Sequence, residues 1–165
     1  MNIYYTGSNK NSSSATGKLT AKIHNNFKFP DYDGTVTRFI TNGDQVLLLT
    51  THKISETEWN SIPLRFPANI ENKRYEFQSD GVLQPPIFSE NGGDPDGTSW
   101  SKPYYPKKDV GHITLNFNLE TGILQATFNF TLMDNTTSHQ VIGEINVEGL
   151  EHTKSGQRHL EKLFE

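Results

Sequence analysis

The sequence predicts an all-β chain, an antiparallel two-sheet sandwich of about eight or nine strands. Two observations carry that expectation. Between His112 and Val147 apolar residues recur at every second position: Ile113, Leu115 and Phe117 interleave with Thr114 and Asn116, and Leu124, Ala126, Phe128, Phe130 and Leu132 interleave with Gln125, Thr127, Asn129 and Thr131. A period of two places one face on a core and the other in water. The second observation is punctuation: Asn42-Gly43, Asp80-Gly81, Glu120-Thr121-Gly122 and Asp134-Asn135 separate apolar runs with residues that tolerate tight turns. A closed barrel of the lipocalin type is the alternative way to bury the same faces.

Taken in order, residues 6–17 are Gly, Ser, Asn and Thr with almost no apolar content and read as a flexible polar arm or loop. Leu19, Ala21 and Ile23 alternate with Thr20, Lys22 and His24 as a first strand. Phe27-Lys28-Phe29-Pro30 reads as a loop and Asp31-Tyr32-Asp33-Gly34 as a turn. A strand over 36–40 closes at Asn42-Gly43, and 46–53 returns beside it. Ser55-Glu56-Thr57-Glu58 has the spacing of a helix capping box, with Pro63 limiting any helix to a turn or so. Ile62, Leu64 and Phe66 resume the alternation until Pro67, and Tyr75 and Phe77 mark one more strand.

The stretch 84–109 reads as a long loop, because five prolines (Pro85, Pro86, Pro95, Pro103 and Pro106) sit among Gly92, Gly93, Gly97 and aspartates. Long irregular connections in a compact domain are often functional. A C-terminal meander then runs from Gly111 to Gly149, followed by a tail over 150–165 in which Leu160, Leu163 and Phe164 suit a short closing helix or strand. The expected core comprises Leu19, Ile23, Val46, Leu48, Leu64, Phe66, Phe77, Ile113, Leu115, Phe117, Leu124, Phe128, Phe130, Ile145 and Val147.

With 165 residues the chain is expected to form a single β domain over 1–165, able to bury roughly 70% of its unfolded surface. A net charge of −4 with dispersed signs offers no footprint for nucleic acid or an anionic membrane, so neither is expected as a partner. The chain has no Cys, which excludes disulfides and thiolate chemistry. A basic segment followed by an apolar one is not seen near Met1, so the expectation is a soluble protein without a classical export signal, resident in the cytoplasm or exported by another route.

Chemistry-bearing motifs are sparse. Neither G-x-G-x-x-G, G-x-S-x-G nor H-E-x-x-H occurs, and no two His stand two or four positions apart. Asp94-Pro95-Asp96-Gly97 and Asp31-Tyr32-Asp33-Gly34 open like calcium loops, since two carboxylates in a tight turn can converge on a hard cation. Twelfth in line from Asp94, however, stands Tyr105 rather than an acid. No cofactor is therefore expected, with Ca²⁺ on Asp94 and Asp96 as the alternative. Trp100, Tyr104 and Tyr105, together with Asn91, form the candidate ligand-binding set, because aromatic rings among polar residues suit stacking on a sugar or a protein surface.

These features favour a non-enzymatic binding or protein-interaction domain with a protein or glycan partner. The alternatives are a lectin-like carbohydrate-binding module, Ca²⁺-assisted or not, a structural or self-associating β protein, and a small hydrolase using Glu56 with Glu58 or Asp94 with Asp96. In length and meandering pattern the chain is similar to lipocalins, although Gly17-Lys18-Leu19 stands where their Gly-x-Trp signature is expected. The stretch 122–130 with Gly143-Glu144-Ile145-Asn146-Val147 resembles the closing hairpin of many small bacterial β domains. That likeness implies a β fold and no site residue.

Overall fold

The computed structural model describes residues 13–24, 28–153 and 158–165. Its described strands are β1 (Thr16–Ile23), β2 (Tyr32–Thr41), β3 (Gln45–Lys53), β4 (Glu58–Pro67), β5 (Arg74–Glu76), β6 (Phe88–Gly93), β7 (Ser99–Tyr104), β8 (His112–Asn118), β9 (Ile123–Asp134), β10 (Thr137–Glu148) and β11 (Glu151–His152). A four-residue helix, α1 (Arg158–Glu161), follows. All the strands belong to one sheet in the order β5-β8-β9-β10-β1-β2-β3-β4-β6-β7, with β11 added beside β2. Every ladder is antiparallel except the short β11 to β2 pairing.

The all-β expectation holds, but the ladder does not divide into the two sheets of a sandwich, nor does it close into a barrel. Instead the single sheet is strongly curled. From β8 to β4 there are six strand-to-strand steps, about 29 Å if the sheet were flat. Yet Phe66 of β4 and Phe117 of β8 pack edge to face with ring centroids 5.1 Å apart. Phe39 of β2 also reaches Phe117, at 6.3 Å. One apolar face therefore wraps a single core, to which nearly every strand contributes. Just past β7, backbone bonds from Met133 N to Tyr105 O and from Lys107 N to Thr131 O bring the far end of the sheet against β9.

All the residues expected in the core are buried. Local chemistry explains most element boundaries. At the β2–β3 hairpin Asn42 Oδ1 accepts from Asp44 N (3.0 Å) and Gln45 N (2.8 Å), while Gly43 takes φ +95°, a conformation that favours glycine. At the β8–β9 turn Asn118 Oδ1 accepts from Glu120 N and Thr121 N, both at 2.9 Å.

Three expectations are corrected. Asp31-Tyr32-Asp33-Gly34 is not a turn: β2 begins at Tyr32, whose ring folds over Gly34 so closely that a Cβ there would lie 2.2 Å from it. The Ser55 motif does not start a helix. Its hydroxyl accepts from Thr57 N (3.3 Å) and Glu58 N (3.1 Å), but inside the β3–β4 hairpin, where Ile54 N and Ser55 N both donate to Glu58 O. The side-chain contact is thus common to helix caps and tight turns. The 84–109 stretch is not one irregular loop but carries the β6–β7 hairpin. Pro103, the one proline of the stretch inside a strand, is accommodated because β7 ends the strand order, where a missing N–H need cost no ladder bond.

The tail over 150–165 carries the short closing helix expected there. It holds β11 and α1. Leu160 and Phe164, with Leu163 beside them, cover Ile40, Leu47 and Leu49 on the convex face of β2 and β3. A register irregularity between Val36 and Arg38 makes this possible. The extra residue turns Phe39 into the core and leaves Ile40 outward, where α1 seals it. Of the polar arm, residues 6–12 lie outside the described residues, and 16–17 already belong to β1.

Candidate functional site at the polar end of the curled sheet

Strand alternation decides which side chains share the concave face. On β3 the residues in line with buried Val46, Leu48 and Thr50 lead to His52, and on β4 those in line with Leu64 and Ile62 lead to Asn60. On β6 Phe88 leads to Glu90, and on β7 Tyr104 leads to Lys102. The ladder places these four directly opposite one another: His52 pairs with Asn60, Asn60 with Glu90, and Glu90 with Lys102. Directly opposed Cβ atoms stand roughly 5 Å apart, so the four make a polar strip about 15 Å long across the concave face. The next register outward pairs Gly92 with Trp100.

Below the strip the floor is aromatic and closed. Phe29, Phe88 and Tyr104 meet with centroids 5.0 to 5.9 Å apart, and Tyr32 packs on Phe88 and on His52. Tyr32 is buried, yet its hydroxyl is fully used. Thr50 Oγ1 donates to Ile62 O (2.8 Å), Tyr32 Oη therefore donates to Thr50 Oγ1 (2.8 Å), and Ile62 N donates to Tyr32 Oη (3.2 Å). Burial holds the Tyr32 phenol well above the ordinary tyrosine range, so it remains protonated and available as a donor.

Tyr104 is the second polar anchor of the floor. Its hydroxyl accepts from Lys28 Nζ at 2.8 Å and donates to Glu90 Oε2 in a short contact. Lys28 also bonds Asp134 Oδ2 at 3.2 Å and stands 4.8 Å from the Tyr104 ring centroid, with Lys102 5.0 Å from the same ring. The Tyr104 hydroxyl above all, and then Asp134, hold the Lys28 ammonium above the ordinary lysine range against the opposing effect of burial. Lys28 and Lys102 balance Glu90 and Asp134, so this end of the sheet is polar without a dominant sign.

The Asn60 residue is 5% exposed and its side chain makes no hydrogen bond to any described residue, but its amide atoms are not sealed from solvent. One side-chain polar atom in the strip is buried without a partner among the described residues, the Nδ1 of His52. The contrast with Thr50, one alternation away on β3 and fully bonded, shows that burial alone does not impose this. Buried polar groups are nearly always satisfied, and exceptions call for a reason.

The residues singled out from the sequence are not gathered in one place. Trp100 lies flat over Gly92 at the rim of the strip, where a Cβ on Gly92 would be 2.4 Å from the indole, and it remains 42% exposed. Tyr104 is buried in the floor. Tyr105 follows on the opposite face and is 63% exposed. Asn91 also alternates to the opposite face, where its amide donates towards Ser61 Oγ (3.1 Å), Ser89 O (3.2 Å) and Trp59 O (3.3 Å) and ties β6 to β4.

Asp94 and Asp96 sit in the β6–β7 turn. Asp94 N bonds Thr98 O and Gly97 N bonds Asp94 O, both around the Gly97 corner. Asp96 Oδ1 accepts from Thr98 N at 2.9 Å and from Thr98 Oγ1, which holds its carboxyl below the ordinary aspartate range. That arrangement is the chemistry of a turn. Among the described residues, no group of three or more His, Asp or Glu is placed to hold a metal ion. Glu56 is held in an exposed ion pair with Lys53 at 2.7 Å, which lowers its carboxyl below the ordinary range and makes it a poor proton donor at neutral pH.

Sequence reasoning missed His52, Asn60, Glu90 and Lys102. Their common signal is the ladder register, which joins four separate segments and is invisible in any one of them. Inside the core, a void of about 10 Å³ lined by Leu19, Ile62, Leu64, Phe77, Pro86, Ile113, Phe128 and Ile145 is apolar and no larger than a single water requires. Comparison with known proteins gives no match: no family model, no curated protein and no solved structure matches the chain.

Proposed function

We propose that this protein is a non-enzymatic binding domain that takes its ligand on the concave face at the polar end of the curled sheet, with Trp100 as the aromatic platform. The observation that carries the reading is Trp100 itself. A large ring held flat over a glycine on a two-stranded hairpin, partly exposed, costs little entropy to dock against. The polar strip beside it supplies both hydrogen-bond donors and acceptors.

The test is an array of glycans and of peptides probed with the full chain and with Trp100→Ala. Hits bound by the parent chain and lost with Trp100→Ala support the reading, provided the variant keeps its melting temperature. Hits bound equally by both overturn it. Self-association through the sheet edge is less favoured, because β7 carries Lys102 and Pro103, residue types that discourage a further strand from adding there.

A further inference from the structure

We infer that Trp100 and Glu58 form a subsite for an arginine side chain of an extended peptide, with the guanidinium on the outer face of the indole and its N–H groups directed at the carboxylate. The inference rests on the binding role proposed above and names the chemistry of the ligand. Three observations lead to it.

First, the row outside the polar strip brings the two side chains together. Ile54 N donates to Glu58 O at 3.0 Å, so Ile54 lies opposite Glu58; Glu58 in turn pairs with Gly92, and Gly92 with Trp100. Directly opposed residues share a face, and each step is roughly 5 Å. Gly92 has no side chain, and the indole fills its place: a Cβ there would lie 2.4 Å from Trp100 Cε2 and 2.5 Å from Nε1. The ring therefore reaches back across β6 towards Glu58, with one face on Gly92 and the other in solvent.

Second, both groups are uncommitted. Glu58 is pinned by its backbone, since Glu58 N donates to Ser55 Oγ (3.1 Å) and Glu58 O accepts from Ile54 N and Ser55 N. Its exposed carboxylate has no hydrogen bond or ion pair among the described residues. The nearby carboxylates of Glu56, Glu90 and Asp96 are instead engaged by Lys53, Tyr104 and Thr98. Among the described residues, lysines stand over the rings of Phe29, Tyr75 and Tyr104 and none over Trp100, although indole is the ring that attracts cations best.

Third, the surroundings select the partner. Lys53 alternates to the convex face and pairs with Glu56, and Lys102 Nζ stands 5.0 Å from the Tyr104 ring centroid, so neither ammonium covers the indole. A planar guanidinium stacks on a ring while its fork addresses a carboxylate, which a lysine ammonium does less well. Ile54, 42% exposed, stands beyond Glu58. An extended peptide presents alternate side chains about 7 Å apart, so an apolar residue two positions from the arginine reaches Ile54.

The experiment is an NMR titration of the full ¹⁵N-labelled chain with the end-blocked peptide Gly-Leu-Ser-Arg-Ser-Leu-Gly and with a copy carrying citrulline, which keeps the planar shape without the charge. The arginine peptide is expected to shift the indole N–H of Trp100 and the amides of Glu58 and Ile54, and to bind about tenfold more tightly than the citrulline copy. Glu58→Gln should cut that preference to less than about twofold and Trp100→Ala should abolish binding, with backbone spectra showing both variants folded. If the two peptides bind the parent equally, or Glu58→Gln keeps the preference, the arginine subsite is overturned, while loss of both peptides with Trp100→Ala still supports the wider binding role. If neither peptide shifts the Trp100 indole, the arginine assignment is overturned, and the array with Trp100→Ala then decides the wider role separately.

Discussion

Replacing Asn60 with Leu should make this protein more stable. Asn60 is 5% exposed on the concave face, between Ile62 on its own strand and His52 and Glu90 on the flanking ones, and its amide has no partner among the described residues. An unsatisfied buried polar group costs about 1–3 kcal/mol, and leucine has nearly the same shape without that cost. Most of that penalty is relieved in the parent, because the amide atoms are not sealed from solvent. A gain of up to about 1 kcal/mol is therefore expected, which for a domain of this size raises the melting temperature by up to about 2–4 °C. Urea unfolding with an unchanged m-value would measure it directly. A loss of more than about 1 kcal/mol would refute the reasoning, since it would mean that the amide is satisfied in the folded protein.

Tyr32→Phe should do the opposite, costing about 1–3 kcal/mol in the same urea assay, because Thr50 Oγ1 loses its donor and Ile62 N loses its acceptor; an unchanged midpoint would show that the three bonds are not a working unit. Phe164→Ala uncovers Ile40, Leu47 and Leu49 and should cost about 3 kcal/mol, with new binding of an apolar dye, whereas neutral behaviour would mean that α1 does not seal the convex face in solution. Gly92→Ala should displace the Trp100 indole, red-shifting its emission and weakening any Trp100-dependent ligand, while stability changes by less than about 1 kcal/mol. Emission and ligand affinity identical to the parent's would contradict the stacked geometry.

Much of the scaffold was legible in the sequence because strand alternation and turn chemistry are local. Ile113 to Phe117 and Leu124 to Leu132 declare their inward faces by period alone, and Asn42-Gly43 declares its hairpin by the backbone angles it permits. Where reading failed, a second use of the same residues was responsible. Ser55 makes the contact of a helix cap inside a hairpin, and the Asp-Gly pattern that marks a real turn at Asp96-Gly97 lies within a strand at Asp33-Gly34. Prolines obscured β6 and β7 because only position at a sheet edge makes Pro103 tolerable. The curl of one sheet rather than two stacked sheets could not be read, since the meeting of Phe66 with Phe117 depends on accumulated twist over many strands.

The candidate site was legible only in part for the same reason. Trp100 was visible as an aromatic residue out of place, but Tyr104 was equally visible and proves to be floor, and Tyr105 and Asn91 alternate to the other face. Nothing in the separate segments around His52, Asn60, Glu90 and Lys102 announces that they line up. Register, a tertiary property, creates the strip.

The most direct test of the claim that ligands meet the concave polar end is to map, residue by residue, the amide and side-chain shifts caused by the tightest hit from the glycan and peptide array. The account predicts that the perturbed residues are Trp100, Lys102, Glu90, Asn60 and His52, contiguous across β7, β6, β4 and β3. Perturbations confined to the convex face, around Asn91 and Tyr105 or around Leu160 and Phe164, would contradict it.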